Sequence, residues 1–192
     1  MNLYRFLGTA LSTFCWLFPL AAEAGQPALF NAEGYRQAHY RSPTPATVAG
    51  ARTLNTAQLQ QLLAQTPHTQ LIDVYRRQWL HGQFINDQPH HNLPGSLWLA
   101  NTGDGTLHTP WLEYLSQYLQ QISHGQSHWP IVFYCRSDCW LGWNAVKRAH
   151  SLGYRNLYWY RDGTDAWQEA GLPVQEAQPA ALHPTSAQYN NH

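Results

Sequence analysis

Sulfur is scarce in this chain of 192 residues, which has three cysteines and a single methionine. So few cysteines exclude a small disulfide-stapled scaffold, because such domains spread many of them over longer loops. Charge is scarce as well: only 11% of residues are Asp, Glu, Lys or Arg, and the two signs cancel. A balanced chain offers no basic face, so no nucleic-acid partner is expected, nor attraction to anionic lipid. The chain carries no Walker loop, dinucleotide glycine fingerprint, C-x-x-C-H pair or nucleophile elbow. Nucleotide binding, covalent haem attachment and serine hydrolysis lose their usual signatures with these motifs, and no cofactor is expected. Aromatic residues are plentiful instead, with nine tryptophans among them. The chain leans on ring packing and on aromatic contact surfaces.

The only long apolar run stands at the start. A basic opening (Met1–Arg5), an apolar stretch (Phe6–Leu20) and the small-x-small sequence Ala22-Glu23-Ala24 read as a secretory signal peptide over residues 1–24. The run is too short for a convincing membrane span, and no second one follows, so no membrane anchor is expected. Cys15 leaves with this segment, and no small-residue lipobox precedes it. The expected product starts at Gly25, is periplasmic, and is long enough for one domain with a real core.

Export places the two remaining cysteines, Cys135 and Cys139, in an oxidising space. They fall in I-V-F-Y-C-R-S-D-C-W, Ile131–Trp140, where an apolar β-type run ends on Cys135 and a polar loop leads into a helical pattern. A thiol at the carboxyl end of a buried strand, facing a helix N-terminus, meets free N–H groups and a positive dipole end that lower its pKa. Read blandly, Cys135 is one more small core residue. A second cysteine in the same loop favours chemistry. A pair four apart closes a tiny loop and gains little loop-closure entropy, so redox or sulfur chemistry outweighs a purely structural bridge. Four residues in an extended strand span too far for a bridge, whereas a loop curled around the Cys135 sulfur brings Cys139 within reach.

Strands and helices alternate along the chain. Residues 25–53 form an extended arm rich in Pro, Tyr and Ala, ordered by Tyr35 and Tyr40. Asn55 and Gln58 have capping-box spacing at the head of a helix reaching Gln65. Strands are expected at Gln70–Tyr75, Ser96–Ala100, Ile131–Tyr134 and Asn156–Tyr160. Helices are expected from Thr109-Pro110 onward, over Trp143–Leu152 and over Thr164–Ala170. From Pro173 the chain is expected to fray, with 175–192 a flexible tail. This alternation argues an α/β fold with a mainly parallel sheet, whose ligands sit beyond the carboxyl ends of the strands. His90-His91, with His81 nearby, match no standard metal spacing and read as a polar loop, so no metal site is expected.

L-I-D-V at Leu71–Val74, L-P-G-S at Leu93–Ser96, Y-C-R-S at Tyr134–Ser137 and D-G-T-D-A-W at Asp162–Trp167 stand in order along the chain. As an ordered set they resemble the rhodanese-like domain, over residues 54–174. The resemblance implies a three-layer α/β/α sandwich with about five strands. It implies Cys135 as the nucleophile that accepts sulfane sulfur as a persulfide. It also implies that N–H groups from Arg136 through Ser137 and Asp138 to Trp140 cradle the sulfur. Asp73 matches the family's strand aspartate, which supports the loop from beneath; an ordinary strand-end carboxylate paired with a nearby cation is the equal alternative. Asp162 stands where the family has glycine, so that turn is expected to differ.

Y-R-Q-A-H-Y-R-S-P-T-P-A-T at Tyr35–Thr47 and C-R-S-D-C-W-L-G-W-N-A at Cys135–Ala145 narrow the likeness. They resemble a periplasmic group named for a C-x-x-C-W-type motif and for association with PQQ-dependent catabolism, although three residues separate the cysteines here. That likeness implies a PQQ-dependent dehydrogenase or a c-type cytochrome as partner. Cys139 and bulky Trp140 occupy positions where sulfurtransferase loops carry a small residue or a cation, and Asp138 offsets Arg136. Thiosulfate transfer is disfavoured accordingly, and exchange with a second thiol is favoured. Trp140 and Trp143 are candidates for partner contact, with a core role better for Trp143. Three readings follow: a rhodanese-like thiol enzyme using Cys135 with Cys139 as resolving partner, a non-catalytic binding module on the same scaffold, and a dithiol oxidoreductase or chaperone in the maturation of periplasmic quinoproteins or cytochromes.

Overall fold

The computed structural model describes residues 28–182. The expected signal peptide and its cleavage site lie outside the described residues. Among those residues no helix is long and apolar enough to cross a membrane.

Five short strands form the central sheet: β1 (Arg52–Leu54), β2 (Gln70–Asp73), β6 (Leu97–Trp98), β7 (Ile131–Tyr134) and β8 (Leu157–Tyr160). Their order is β1-β8-β7-β2-β6, and every pairing is parallel. Parallel neighbours need long crossovers, and α1 (Thr56–Gln65), α2 (Thr109–Ser123) and α3 (Trp140–Ser151) lie in three of them, while α4 (Gly163–Glu169) follows the last strand of the sheet. Side chains alternate across each strand, so Ile131, Phe133 and Cys135 share a core with Leu115 and Leu119 of α2 and Ala145 and Val146 of α3. Val132 and Tyr134 point the other way, onto Leu59 of α1 and Trp167 of α4. The result is the expected α/β/α sandwich. Asn55 caps α1 through a capping box with Gln58, as its spacing predicts.

Three features were not expected. The last residues of the arm enter the sheet as β1, beside β8. A hairpin of β3 (Trp79–Leu80) and β4 (Gln83–Phe84) turns at His81 and Gly82, both at positive φ. The expected fraying after Pro173 is corrected as far as Leu182: β9 (Gln175–Glu176) pairs with β5 (His91–Asn92). Beyond β9, Ala177 N donates to the His90 carbonyl and Ala180 N to the Trp98 carbonyl. The Tyr114 and Tyr118 hydroxyls donate to the carbonyls of Ala180 and Ala181. A polar segment stays in place here because sheet and helix offer it donors and acceptors.

Candidate active site

The β7 strand delivers Cys135 to the carboxyl edge of the sheet, and the loop returns at Cys139, the N-cap residue of α3. The two cysteines are joined by a disulfide, with their Cα atoms 6.1 Å apart. That separation lies within the usual range for a bridge. Asp138 makes the return possible by adopting a left-handed conformation, φ 50°.

The loop is held from two sides. On one, Thr164 N donates to the Cys135 carbonyl at 3.0 Å, and Ser137 Oγ donates to the Asp162 carbonyl at 2.8 Å. Asp165, in the first turn of α4, gathers Arg136 Nε at 2.9 Å, Arg41 at 3.1 Å and Ser137 N at 3.2 Å. Burial pushes the Asp165 carboxyl up. The hydrogen bond and charge of Arg136, the charge of Arg41 and the Ser137 N–H outweigh it and hold the group below its ordinary value. Gly163 sits at φ 63°, where a Cβ would come 2.6 Å from the Cys135 carbonyl oxygen. The turn expected to lack its glycine at Asp162 therefore has one, a single residue later.

On the other side lies the arm. Tyr40, Arg41 and Ser42 run antiparallel to Asp138–Trp140: Arg41 bridges Cys139, Ser42 N donates to Asp138 O, and Trp140 N donates to Tyr40 O. Two of the N–H groups expected to cradle sulfur, those of Ser137 and Trp140, are thus committed elsewhere. Asp165 of α4 takes the first, and the arm, laid along the loop as an extra strand, takes the second. Trp140 is buried, with Nε1 on Ser42 Oγ, Phe30 edge-on at 5.4 Å and the Arg36 guanidinium over its ring. Its suggested role in contacting a partner gives way to a role in seating the arm. Trp143 is half-buried and donates to the Thr47 carbonyl.

Asp73 does not reach the cysteine loop. It is buried at the end of β2, accepts from Tyr75 N at 2.8 Å and lies 2.7 Å from His90 Nε2. These hydrogen bonds of its carboxylate go to Tyr75 and a histidine, and none of them to the cysteine loop. His90, taken from the sequence as part of a polar loop, stacks on Tyr75 and lies 4.0 Å from the Trp98 ring. His91 is exposed on β5, and among the described residues no group of three or more His, Cys, Asp or Glu could hold a metal. The turn L-P-G-S is tied to β7 through Tyr134. Its hydroxyl donates to Ser96 Oγ and accepts from Leu93 N.

Two cavities flank the loop. One, of about 260 Å³, is lined by His90, Arg77, Arg136, Thr164 and Asp165. The other, of about 230 Å³, is lined by Tyr40, Arg41, Tyr75, Arg76, Arg136 and Cys139. Tyr75 and Arg136 form a wall common to both.

The family model of the rhodanese-like domain matches residues 55–170, the stretch from the α1 cap to the end of α4. The chain belongs to the rhodanese-like domain family. The rhodanese-like neighbours among solved structures include thiosulfate sulfurtransferase from Pseudomonas aeruginosa, at 14% identity and a TM-score of 0.47. That alignment covers 72% of this chain but only 22% of the Pseudomonas chain. The polysulfide-sulfur transferase homodimer from Wolinella succinogenes is 18% identical, with 72% and 85% of the two chains covered and a TM-score of 0.43. A human single-domain sulfurtransferase is 24% identical, with 62% and 97% covered and a TM-score of 0.39. No curated protein matches the chain.

Proposed function

We propose that the chain is an exported thiol protein that exchanges sulfur or disulfides through Cys135 and Cys139. The observation that carries this reading is the disulfide itself, which joins the residue at the family's nucleophile position to the N-cap of α3. In the reduced form Cys135 accepts a sulfane sulfur as a persulfide. The Cys139 thiolate then attacks the Cys135 sulfur, expels hydrosulfide and closes the disulfide. The loop's own bonding supports exchange over thiosulfate transfer, because Asp165 takes the Ser137 N–H and the arm takes the Trp140 N–H, two groups that would otherwise cradle the sulfur. Likeness to the C-x-x-C-W-type group supports a periplasmic setting. It also supports service to PQQ-dependent alcohol oxidation, with a quinoprotein dehydrogenase or c-type cytochrome as partner.

Intact mass tests the chemistry. The wild-type disulfide should open with a dithiol. Reduced Cys139→Ser, given a sulfane sulfur donor, should retain one added sulfur on Cys135, and Cys135→Ser should retain none. Equal behaviour of wild type and Cys139→Ser, with no trapped species, would leave Cys139 a bystander. The non-catalytic binding module would then be the better reading of the fold.

A further inference from the structure

A disulfide closed by that cycle must be reopened, and its two sulfurs are not equally open to attack. Both belong to the core shared with α2 and α3, Cys135 at 2% exposure and Cys139 at 6%. Of the two, only Cys139 lines the 230 Å³ cavity. Thiol–disulfide exchange needs the attacking thiolate to approach one sulfur directly, so access selects which sulfur is struck.

The walls of that cavity select the attacker. Arg41, Arg76 and Arg136 all line it, and none of its lining residues is a carboxylate. Their partners, Asp165 for Arg41 and Arg136 and Asp104 for Arg76, lie outside the lining. Asp138 is exposed and likewise absent from it. Three guanidinium groups line the cavity against two carboxylates outside it, a net positive balance that draws anions, and the volume falls below the roughly 300–1,000 Å³ of a drug-sized pocket.

Resting on the exchange reading above, we propose that the oxidised couple is reopened at Cys139 by a small thiol bearing a second negative group, a carboxylate or sulfonate. The thiolate attacks Cys139 Sγ, the Cys135–Cys139 bond breaks, and Cys135 leaves as a thiolate. A second thiol molecule attacks the outer sulfur of the mixed disulfide, releasing Cys139 as a thiol and a small-molecule disulfide. Two thiols are oxidised and one protein disulfide is reduced. The order of roles is thus opposite in the two half-cycles: Cys135 attacks when the couple is reduced, and Cys139 is attacked when it is oxidised.

The test compares mercaptoethanesulfonate, 2-mercaptoethanol and cysteamine as reductants of the oxidised protein. Each rate is divided by that of the same thiol on bis(2-hydroxyethyl) disulfide. Mercaptoethanesulfonate should lead by about tenfold, the lower end of focusing by a charged cleft. The lead should shrink in Arg76→Gln and in roughly 1 M salt. Quenching with iodoacetamide alkylates the freed thiol. Trypsin then cuts after Arg136, between the two cysteines, so the adduct is located directly, and it should be on Cys139. An adduct on Cys135, or no charge preference, overturns this inference and leaves the exchange reading standing. A native disulfide that none of the three thiols opens overturns both.

Discussion

The arm of residues 28–51 and the segment of residues 175–182 both lie outside the matched domain, and both lack regular structure over most of their length. The arm is gripped from within. Asn144, buried on α3, accepts from Arg36 N and donates to the carbonyls of Arg36 and Gly103. Lys147 donates to the carbonyls of Glu33 and Gly34. Arg148 reaches the backbone at Thr102, Asp104 and Gly105, and Gly105 N donates to the Tyr40 hydroxyl. The C-terminal segment is held by backbone pairing to a two-residue strand, by the Ala180 N–Trp98 carbonyl bond, by two tyrosine hydroxyls and by Ala180 and Leu182 against the core, with only the Tyr114 hydroxyl as a buried side-chain partner. A segment gripped by buried polar side chains folds with the core, because releasing it strands those groups without partners. A segment paired along an edge can leave while the core stays closed. The first kind can shape a site, and the arm does so by forming one wall of the Cys139 cavity.

The largest blow to this contrast should come from Trp140→Ala. The ring anchors the arm through Phe30, Arg36 and Ser42, and removing a buried tryptophan side chain costs about 3–5 kcal/mol. Urea unfolding should show that loss. Reduction of the native disulfide by 2-mercaptoethanol should speed up severalfold as the arm lifts away. Reduction at the wild-type rate despite the lost stability would show that the arm does not gate Cys139.

Ending the chain after Val174 should cost less, about 2 kcal/mol, for the β9 pairing and the bonds of Ala177, Ala180 and Ala181. Its disulfide should be reduced at the wild-type rate, because nothing in 175–182 touches the cysteine loop among these contacts. A truncated chain that opens as readily as Trp140→Ala would erase the distinction between the two segments.

The sequence carries the sandwich and the place of the cysteines because both rest on short-range patterns. An apolar run ending on Cys135, followed by four loop residues and a helical period, leaves few alternatives. The arm carries no such pattern. Residues 28–51 neither alternate nor repeat at helical spacing, so their course over the loop is set by contacts with residues about a hundred positions away. Those contacts have one visible trace. Asn144 and Arg148 fall on the buried face of α3, where a helix that packed only on apolar neighbours would carry none. Polar residues on a buried face announce a backbone to be held, though not which one. Asp165 lies inside the D-G-T-D-A-W motif, yet its ties to Arg41, Arg136 and Ser137 join three distant segments and follow from no spacing. His90 hides for the same reason: its partner Asp73 is 17 positions back and is brought to it only by the fold.

The smallest effect should come from pH, and it distinguishes the two segments most finely. Asp165 ties the arm to the cysteine loop through Arg41 and Arg136, while the C-terminal segment has no ionic tie among its contacts described above. The Asp165 carboxyl is held below its ordinary value in the folded chain. A group of that kind binds its proton more readily when unfolded. Its contribution to stability is therefore complete above the unfolded value of about 3.9 and is lost as pH falls through the lower, folded value. Exposed ion pairs contribute little, so the effect should be small. Asp165→Asn should have a lower urea midpoint than wild type from pH 5 to 7. The gap should narrow as pH falls below the ordinary carboxylate value, because protonation makes wild-type Asp165 as neutral as the asparagine. The same measurement on chains ended after Val174 should show the same narrowing, since the tail takes no part in it. A gap that stays constant down to pH 2.5 would mean that Asp165 acts through its shape and hydrogen bonds, with its charge adding nothing.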